Sequence, residues 1–376
     1  MKIAFVYDVI YPYVKGGVEK RVWELAVRLS HRGHEVHVFG MKFWDGEDII
    51  NREGVFLHGV CRAQKIYTGG RRSIGQAIYF SLHLLSPLHK EKFDVIDCQQ
   101  FPFFSCFSAK LISKLRKTPL VITWHEIWDD YWYVYLGRKG FGGKITERLV
   151  ARLTQNSIAV SVSTKNNLKS LRYHGNITIV PNGVDLRHIH SINPSVEPSD
   201  IIFVGRLIKE KHVDLLVRAF GLISSDKPQL RLLIIGEGPE KDAIIKIIQE
   251  LSLENRVVLR EFQANHDNVI ALMKSAKVFV NPSTREGFGI TALEALACGI
   301  PVVTVTHPAN AIRDLITEKN GFTCPLSEKD LADTIRRALQ RYADMKNDCI
   351  DSASAYDWEK ITSDIERYYV SLMETW

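Results

Sequence analysis

Residues 281–301 read Asn-Pro-Ser-Thr-Arg-Glu-Gly-Phe-Gly-Ile-Thr-Ala-Leu-Glu-Ala-Leu-Ala-Cys-Gly-Ile-Pro and carry the densest chemical signal in the chain. Gly287 and Gly289 let the backbone approach a ligand closely, and a helix starting at Ile290 presents unpaired N–H groups and a positive dipole end, which suits a phosphate. Thr291 and Glu294 are three apart and share a helical face, so Glu294 can reach hydroxyls of a group attached to that phosphate. Glu286, ahead of the helix, addresses a different part of the ligand. A plain glycine turn with two solvated glutamates explains the segment less well, because the Gly-x-Gly turn, two spaced acids and Pro301 coincide at the end of an apolar run. Arg206 and Lys211 follow another apolar run, 201–204. A planar guanidinium fork offers bidentate phosphate contact and an ammonium a compact charge.

The elements that must position these residues follow from the hydrophobic pattern. Short apolar runs alternate with helical patterns, the signature of βαβ units and parallel sheets. Strands are expected at 3–8, 35–39, 55–58, 95–98, 120–124, 158–162 and 177–180, then at 201–204, 230–235, 257–259, 278–281 and 302–305. The fold class is α/β, with two doubly wound Rossmann-like domains, 1–184 and 185–356, facing a central cleft. Residues 181–200, with Pro181, Gly183, Pro194 and Pro198, read as a linker. Apolar positions Ile361, Ile365, Tyr368, Tyr369 and Leu372 predict a terminal helix at 358–376, packed on the first domain. Ligands of open parallel sheets collect beyond the carboxyl ends of the strands, where Arg206 and Glu286 stand.

The spacing of Glu286 and Glu294 around Gly287-Phe288-Gly289 resembles the signature of retaining glycosyltransferases of family 4, which have the GT-B fold. The segments Gly205-Arg206-Leu207 with Glu210-Lys211, Gly236-Glu237-Gly238-Pro239, Pro181-Asn182-Gly183 and Gly16-Gly17-Val18-Glu19 match further motifs of that family. The resemblance implies transfer of a hexose-type sugar from a nucleotide-diphosphate sugar, UDP- or GDP-linked, to an acceptor hydroxyl with retention of configuration. It implies that Glu294 binds the ribose and Glu286 the sugar hydroxyls, and that the backbone at Gly287, Phe288, Gly289, Ile290 and Thr291 holds the diphosphate and sugar. It further implies that Gly16 and Gly17 approach the phosphates, and that His125, followed by Glu126, stands beside the reacting sugar. The catalytic set is then His125, Glu286, Arg206 and Lys211. The sequence has no Asp-x-Asp, so Arg206 and Lys211 replace a metal; no metal site and no cofactor is expected. His212 departs from the family, which often has Gly or Asn there, and Arg260-Glu261-Phe262 stands where a Gly-aromatic loop is common. Covalent catalysis by Glu286 and front-face attack both remain open.

Two alternatives of the same fold stand beside this reading: a nucleotide-sugar epimerase and a non-catalytic sugar-nucleotide binder. A dinucleotide dehydrogenase fits poorly, since 14–19 lacks Gly-x-Gly-x-x-Gly.

The formal net charge of +6 divides unevenly, +11 over residues 1–184 and −5 over the remainder. The resemblance gives the basic half to the acceptor. Residues 103–117 interleave Phe104, Phe107, Leu111, Ile112 and Leu115 with Lys110, Lys114, Arg116 and Lys117, and two readings stay open: a segment lying in an anionic membrane surface, or a core-facing helix with a basic edge. The first reading points to a lipid-linked or phosphorylated acceptor; the acceptor implied by the resemblance is a glycan or lipid-linked one. The aromatic residues from Trp124 to Tyr135 are assigned in part to the acceptor site. No nucleic-acid partner is expected. The chain has no secretory signal or long apolar span, so it is expected in the cytoplasm, peripheral on the membrane's cytoplasmic face. Its six scattered cysteines read as reduced thiols.

Overall fold

A computed structural model describes residues 1–68, 71–262 and 265–375. The chain forms two compact units, Met1–Asn182 with Trp358–Trp376, and Gly183–Asp357.

The first unit contains β1 (Lys2–Val6), β2 (Glu35–Lys42), β3 (Ile49–Arg52), β4 (Val55–Arg62), the small pair β5 (Tyr67–Thr68) and β6 (Arg71–Arg72), β7 (Val95–Gln99), β8 (Leu120–Trp124), β9 (Asn156–Ala159) and β10 (Asn176–Ile179). Eight strands form one sheet in the order β10-β9-β8-β7-β1-β2-β4-β3. Only β3 runs antiparallel to its neighbour. Helices cover both faces, so β7 and β8 are buried at every position, which is why such strands are mostly apolar; the polar Asp97, Gln99 and Thr123 within them hydrogen-bond one another.

The second unit contains β11 (Ser199–Val204), β12 (Leu232–Ile235), β13 (Val257–Arg260), β14 (Ala276–Asn281), β15 (Val302–Val305) and β16 (Gly321–Cys324), all parallel, in the order β13-β12-β11-β14-β15-β16. Strand order reverses direction between β11 and β14, the position where doubly wound sheets open a crevice for ligands. Both units are Rossmann-like α/β sheets, as the pattern predicts.

Three local expectations change. The strand at 158–162 ends at Ala159, because the Ser161 side chain accepts a hydrogen bond from Thr164 N at 3.0 Å and caps a helix over Val162–Ser170. The expected linker 181–200 is structured: Asp185 caps a short helix, Leu186–Ser191, and Ser199 already belongs to β11. Strands β3, β5, β6 and β16 are not among the expected ones, since segments of two to four residues with few apolar positions give no period.

The terminal helix spans Trp358–Thr375; Trp376, the last residue of the expected helix, lies outside the described residues. Ile361, Ile365, Tyr369 and Leu372 pack with Phe5, Val36 and Val121 of the first unit, and Arg32 pairs with Glu359 and Glu366 at 2.9 Å each. Residues 103–117 form a helix, Phe104–Arg116, that buries Cys106, Ala109 and Ile112 and leaves Leu111 and Leu115 49% and 60% exposed. Among the described residues, no helix is long and apolar enough to cross a membrane.

Candidate active site

In the second unit three loops meet beyond the carboxyl ends of β11, β14 and β15. The loop after β11 carries Arg206, which is exposed, and a single turn of helix, Lys209–Lys211. His212 follows at φ +47°. A left-handed residue is required at this position, which explains why Gly or Asn commonly stands there in the resembled family; His is among the side chains that tolerate it. Its Nε2 lies 3.0 Å from Thr284 Oγ1, and Thr284 N donates to Glu210 O at 2.9 Å. The β11 and β14 loops are thus stitched together at the switch point.

That stitching brings Lys211 onto Glu286. The Lys211 ammonium is ion-paired with Glu286 Oε1, and Asn281 Nδ2 lies 3.4 Å from the same oxygen. The Glu286 backbone is clamped on both sides: its N–H donates to Ala309 O and its carbonyl accepts from Ala311 N, both at 2.9 Å. Asn310 between them is fully buried, with its amide donating to Thr304 Oγ1 and Val305 O at 2.9 Å. Asn310 was missed by the sequence reasoning; nothing but its place after a strand marks it.

Gly289 sits at φ +94°, where an added Cβ would lie 2.4 Å from Ile312 Cγ1, so the turn that starts the helix Ile290–Ala297 admits only glycine. The first N–H groups of that helix, Ile290 and Thr291 among them, have no intrahelical acceptor. Phe288 points inward, 5% exposed, with its ring 6.0 Å from that of Tyr356. Glu294 is 3% exposed and its Oε1 lies 2.8 Å from His266 Nε2. His266 has no motif of its own and was not foreseen. Gly236 and Gly238 are required by close approach: an added Cβ would meet Gly205 O at 2.0 Å and Leu207 O at 2.2 Å. The chain in this unit can therefore offer an anion a helix start, an ammonium and a guanidinium, with two carboxylates for hydroxyls.

In the first unit, Gly16 precedes the helix Gly17–His31. Glu19 folds back over it, so that a Cβ on Gly16 would meet Glu19 Oε2 at 2.6 Å. Burial raises the Glu19 carboxyl to about 7. Nearby Asp8, buried just after β1, accepts from Arg72 Nη2 at 2.6 Å and from Gln76 Nε2 at 3.0 Å; Asp8 has no motif that marks it in the sequence.

His125 follows β8. Its Nε2 lies 2.7 Å from Gln99 Oε1, which fixes Nε2 as the protonated nitrogen when the amide oxygen accepts, and its backbone N–H donates to Gln100 Oε1 at 3.0 Å. Gln99 is held in turn: its Nε2 donates to Asp97 Oδ1 at 3.0 Å. Asp97 also accepts from Thr123 Oγ1 at 2.7 Å and from Tyr369 OH at 2.5 Å. A buried chain of hydrogen bonds therefore runs from the terminal helix to His125. Burial, aided by the Arg21 guanidinium, holds the His125 imidazole down to about 3, so it is neutral at ordinary pH.

Part of the aromatic group from Trp124 to Tyr135 is core. Trp124 and Trp132 are buried, and Trp128 stacks at 5.6 Å on Phe101 while meeting Tyr135 edge-on at 4.9 Å. Glu147 pins the start of this segment by accepting from Trp128 N and Asp129 N at 2.8 Å. Only Tyr133 of this group is as much as 42% exposed. Trp124 and Trp132 thus fill the interior, the commoner role of such rings.

Comparison with known proteins agrees with both units. The family described as Glycosyltransferase Family 4 matches residues 15–188, and that described as Glycosyl transferases group 1 matches residues 187–355. The chain is 24% identical over 98% of its length, and 81% of the relative's, to a phosphatidylinositol N-acetylglucosaminyltransferase subunit of Arabidopsis thaliana. Its fold is similar to sucrose-phosphate synthase of Thermosynechococcus elongatus, with TM-score 0.82, 20% identity and full coverage of both chains. It is also similar to the Anabaena HepE protein in complex with UDP-glucose, with TM-score 0.74, 21% identity, 99% of this chain and 100% of that one. Sequence motifs, two Rossmann-like sheets and matches spanning nearly the whole chain agree: this chain belongs to the family 4 glycosyltransferases of GT-B fold.

Proposed function

We propose that the protein transfers a hexose-type sugar from a nucleotide-diphosphate sugar to the hydroxyl of a lipid-linked or glycan acceptor, with retention of configuration and without a catalytic metal. The observation that carries this reading is the Lys211–Glu286 pair at the switch point of the second sheet, next to the glycine-started helix and Glu294. Lys211 and Arg206 supply positive charge for the departing diphosphate, whose charge grows as the bond breaks. The backbone from Gly287 to Thr291 receives the phosphate oxygens, and Glu294 accepts from ribose hydroxyls. Glu286, already neutralised by Lys211, accepts from hydroxyls of the sugar rather than attacking it. In the step itself the bond from the anomeric carbon to the phosphate oxygen breaks, the acceptor oxygen bonds to the same face of that carbon, and its proton passes to the departing phosphate. In the first unit, His125, neutral and oriented by Gln99, is fitted to hydrogen-bond a sugar hydroxyl, and Gly16 and Gly17 to let backbone approach a phosphate.

A UDP-glucose complex of a structural neighbour and the phosphatidylinositol in a relative's name support the donor and acceptor classes. A basic and apolar surface supports the lipid: Leu111 and Leu115 are exposed on the helix with Lys110 and Lys114, and Ile74, Ile78 and Leu82 line one exposed stripe of the helix Ile74–Lys90 that packs against it. Incubation with a panel of UDP- and GDP-sugars is expected to show slow hydrolysis of one donor without any acceptor. No binding or hydrolysis across the panel would overturn the reading. Sedimentation with anionic vesicles at low salt tests the surface separately; failure to bind there removes the membrane but not the chemistry.

A further inference from the structure

On the far side of β1 in the first unit's sheet, His37 of β2 and His58 of β4 lie on one face of neighbouring strands, since His37 pairs with Phe56 in register and Phe39 with His58. Both imidazoles are buried, 4% and 5% exposed, and His37 Nδ1 approaches His58 Nε2 to 2.7 Å. The other nitrogen of His37, Nε2, lies 2.9 Å from Glu35 Oε1. A carboxylate there keeps the proton on Nε2 and turns the Nδ1 lone pair towards His58. Glu91, at the end of the helix Ile74–Lys90, completes the group: a ligand atom from each of His37, His58 and Glu91 lies within 4.8 Å of the others. Lys2 Nζ is ion-paired with both Glu35 and Glu91, so two carboxylates face one ammonium and the cluster is left with a net charge of −1.

We propose that His37 Nδ1, His58 Nε2 and the Glu91 carboxylate form a binding site for one Zn²⁺-class ion. Two imidazoles and a carboxylate suit zinc or a late first-row metal rather than Mg²⁺ or Ca²⁺, which take oxygen ligands. The carboxylate–histidine arrangement of Glu35 and His37 is the outer support that metal-bound imidazoles carry. Tetrahedral ligands at about 2.0–2.1 Å sit about 3.3 Å apart, so the two nitrogens need to separate by about 0.6 Å, a displacement that side-chain rotation supplies. The ion would tie β2, β4 and the end of the Ile74–Lys90 helix together. It is distinct from the transfer site, because His37 and Glu35 stand at the amino-terminal part of β2 while the site residues follow the carboxyl ends of strands. The proposal is independent of the transfer chemistry.

The full-length protein, stripped with chelator and exchanged into metal-free buffer, is titrated with Co²⁺ and followed by its visible absorption, then with Zn²⁺ by calorimetry. One equivalent of Co²⁺ with an intense tetrahedral spectrum, displaced by Zn²⁺, is expected. Glu35→Gln, on an exposed side chain, is expected to weaken Zn²⁺ about 10-fold, and His58→Gln to abolish the tetrahedral spectrum. Glu91→Gln, also at the surface, repeats the ligand test if His58→Gln does not fold. Absence of a tetrahedral Co²⁺ spectrum in the wild-type protein, or an unchanged one in Glu91→Gln, overturns the proposal.

Discussion

Tyr369→Phe tests the buried chain that links the terminal helix to His125. Tyr369 and Asp97 are 0% and 1% exposed. The Tyr369 hydroxyl donates to Asp97 Oδ2 at 2.5 Å, while Gln99 and Thr123 both donate to Oδ1. Removing one hydroxyl therefore leaves Oδ2 without its donor and changes the packing hardly at all. A hydrogen bond to a charged group contributes about 1.5–3 kcal/mol, and for a unit of this size each kcal/mol moves Tm by about 2–4 °C. The variant should melt about 3–12 °C lower at pH 8, read by circular dichroism or calorimetry. Burial raises the Asp97 carboxyl and the Tyr369 hydrogen bond opposes that rise. The bond is worth most to the ionised carboxylate, so the deficit should shrink as pH falls through the folded-state pKa of Asp97. A drop below 1 °C, or a deficit that grows on acidification, would refute the assignment of a charged, Tyr369-supported Asp97.

Glu286→Gln and Lys211→Ala should each lower turnover by about 100-fold or more, with folding intact by circular dichroism, if the pair acts on the transition state; wild-type rates in both remove them from the site. Glu19, held near pH 7 by burial instead of its ordinary 4.5, costs about 3 kcal/mol when ionised. Its folded-state pKa is raised, so its contribution improves as pH falls from about 7 to about 4.5; Glu19→Gln should be more stable than wild type at pH 8 and lose that advantage at pH 5, as measured by urea unfolding at the two pH values. All six thiols are buried, and burial pushes Cys61, Cys298 and Cys349 up to about 12. A thiol reagent should label none of them in the native protein on the time scale in which it labels all six in denaturant.

The period of the apolar residues determined the fold class and most strands, because a parallel strand buried on both faces is largely apolar, as Leu120–Trp124 is; Val95–Gln99, buried throughout, carries Asp97 and Gln99 only because they hydrogen-bond each other inside. Local chemistry made the glycine-started helix at Gly289 and the acids Glu286 and Glu294 legible, since their spacing along one loop and one helix is set by neighbouring residues. The pairing of Lys211 with Glu286 was not legible. It exists because β11 and β14 are neighbours in the sheet although 75 residues separate the two side chains, and no pattern along the chain encodes which strands lie side by side. The same reason hid Asn310 behind Glu286, His266 beside Glu294, and the line from Tyr369 through Asp97 and Gln99 to His125. It also decided where Trp124 and Trp132 lie: aromatic composition signals a ring's need for burial or stacking, but only the folded sheet decides whether the interior or a ligand satisfies it.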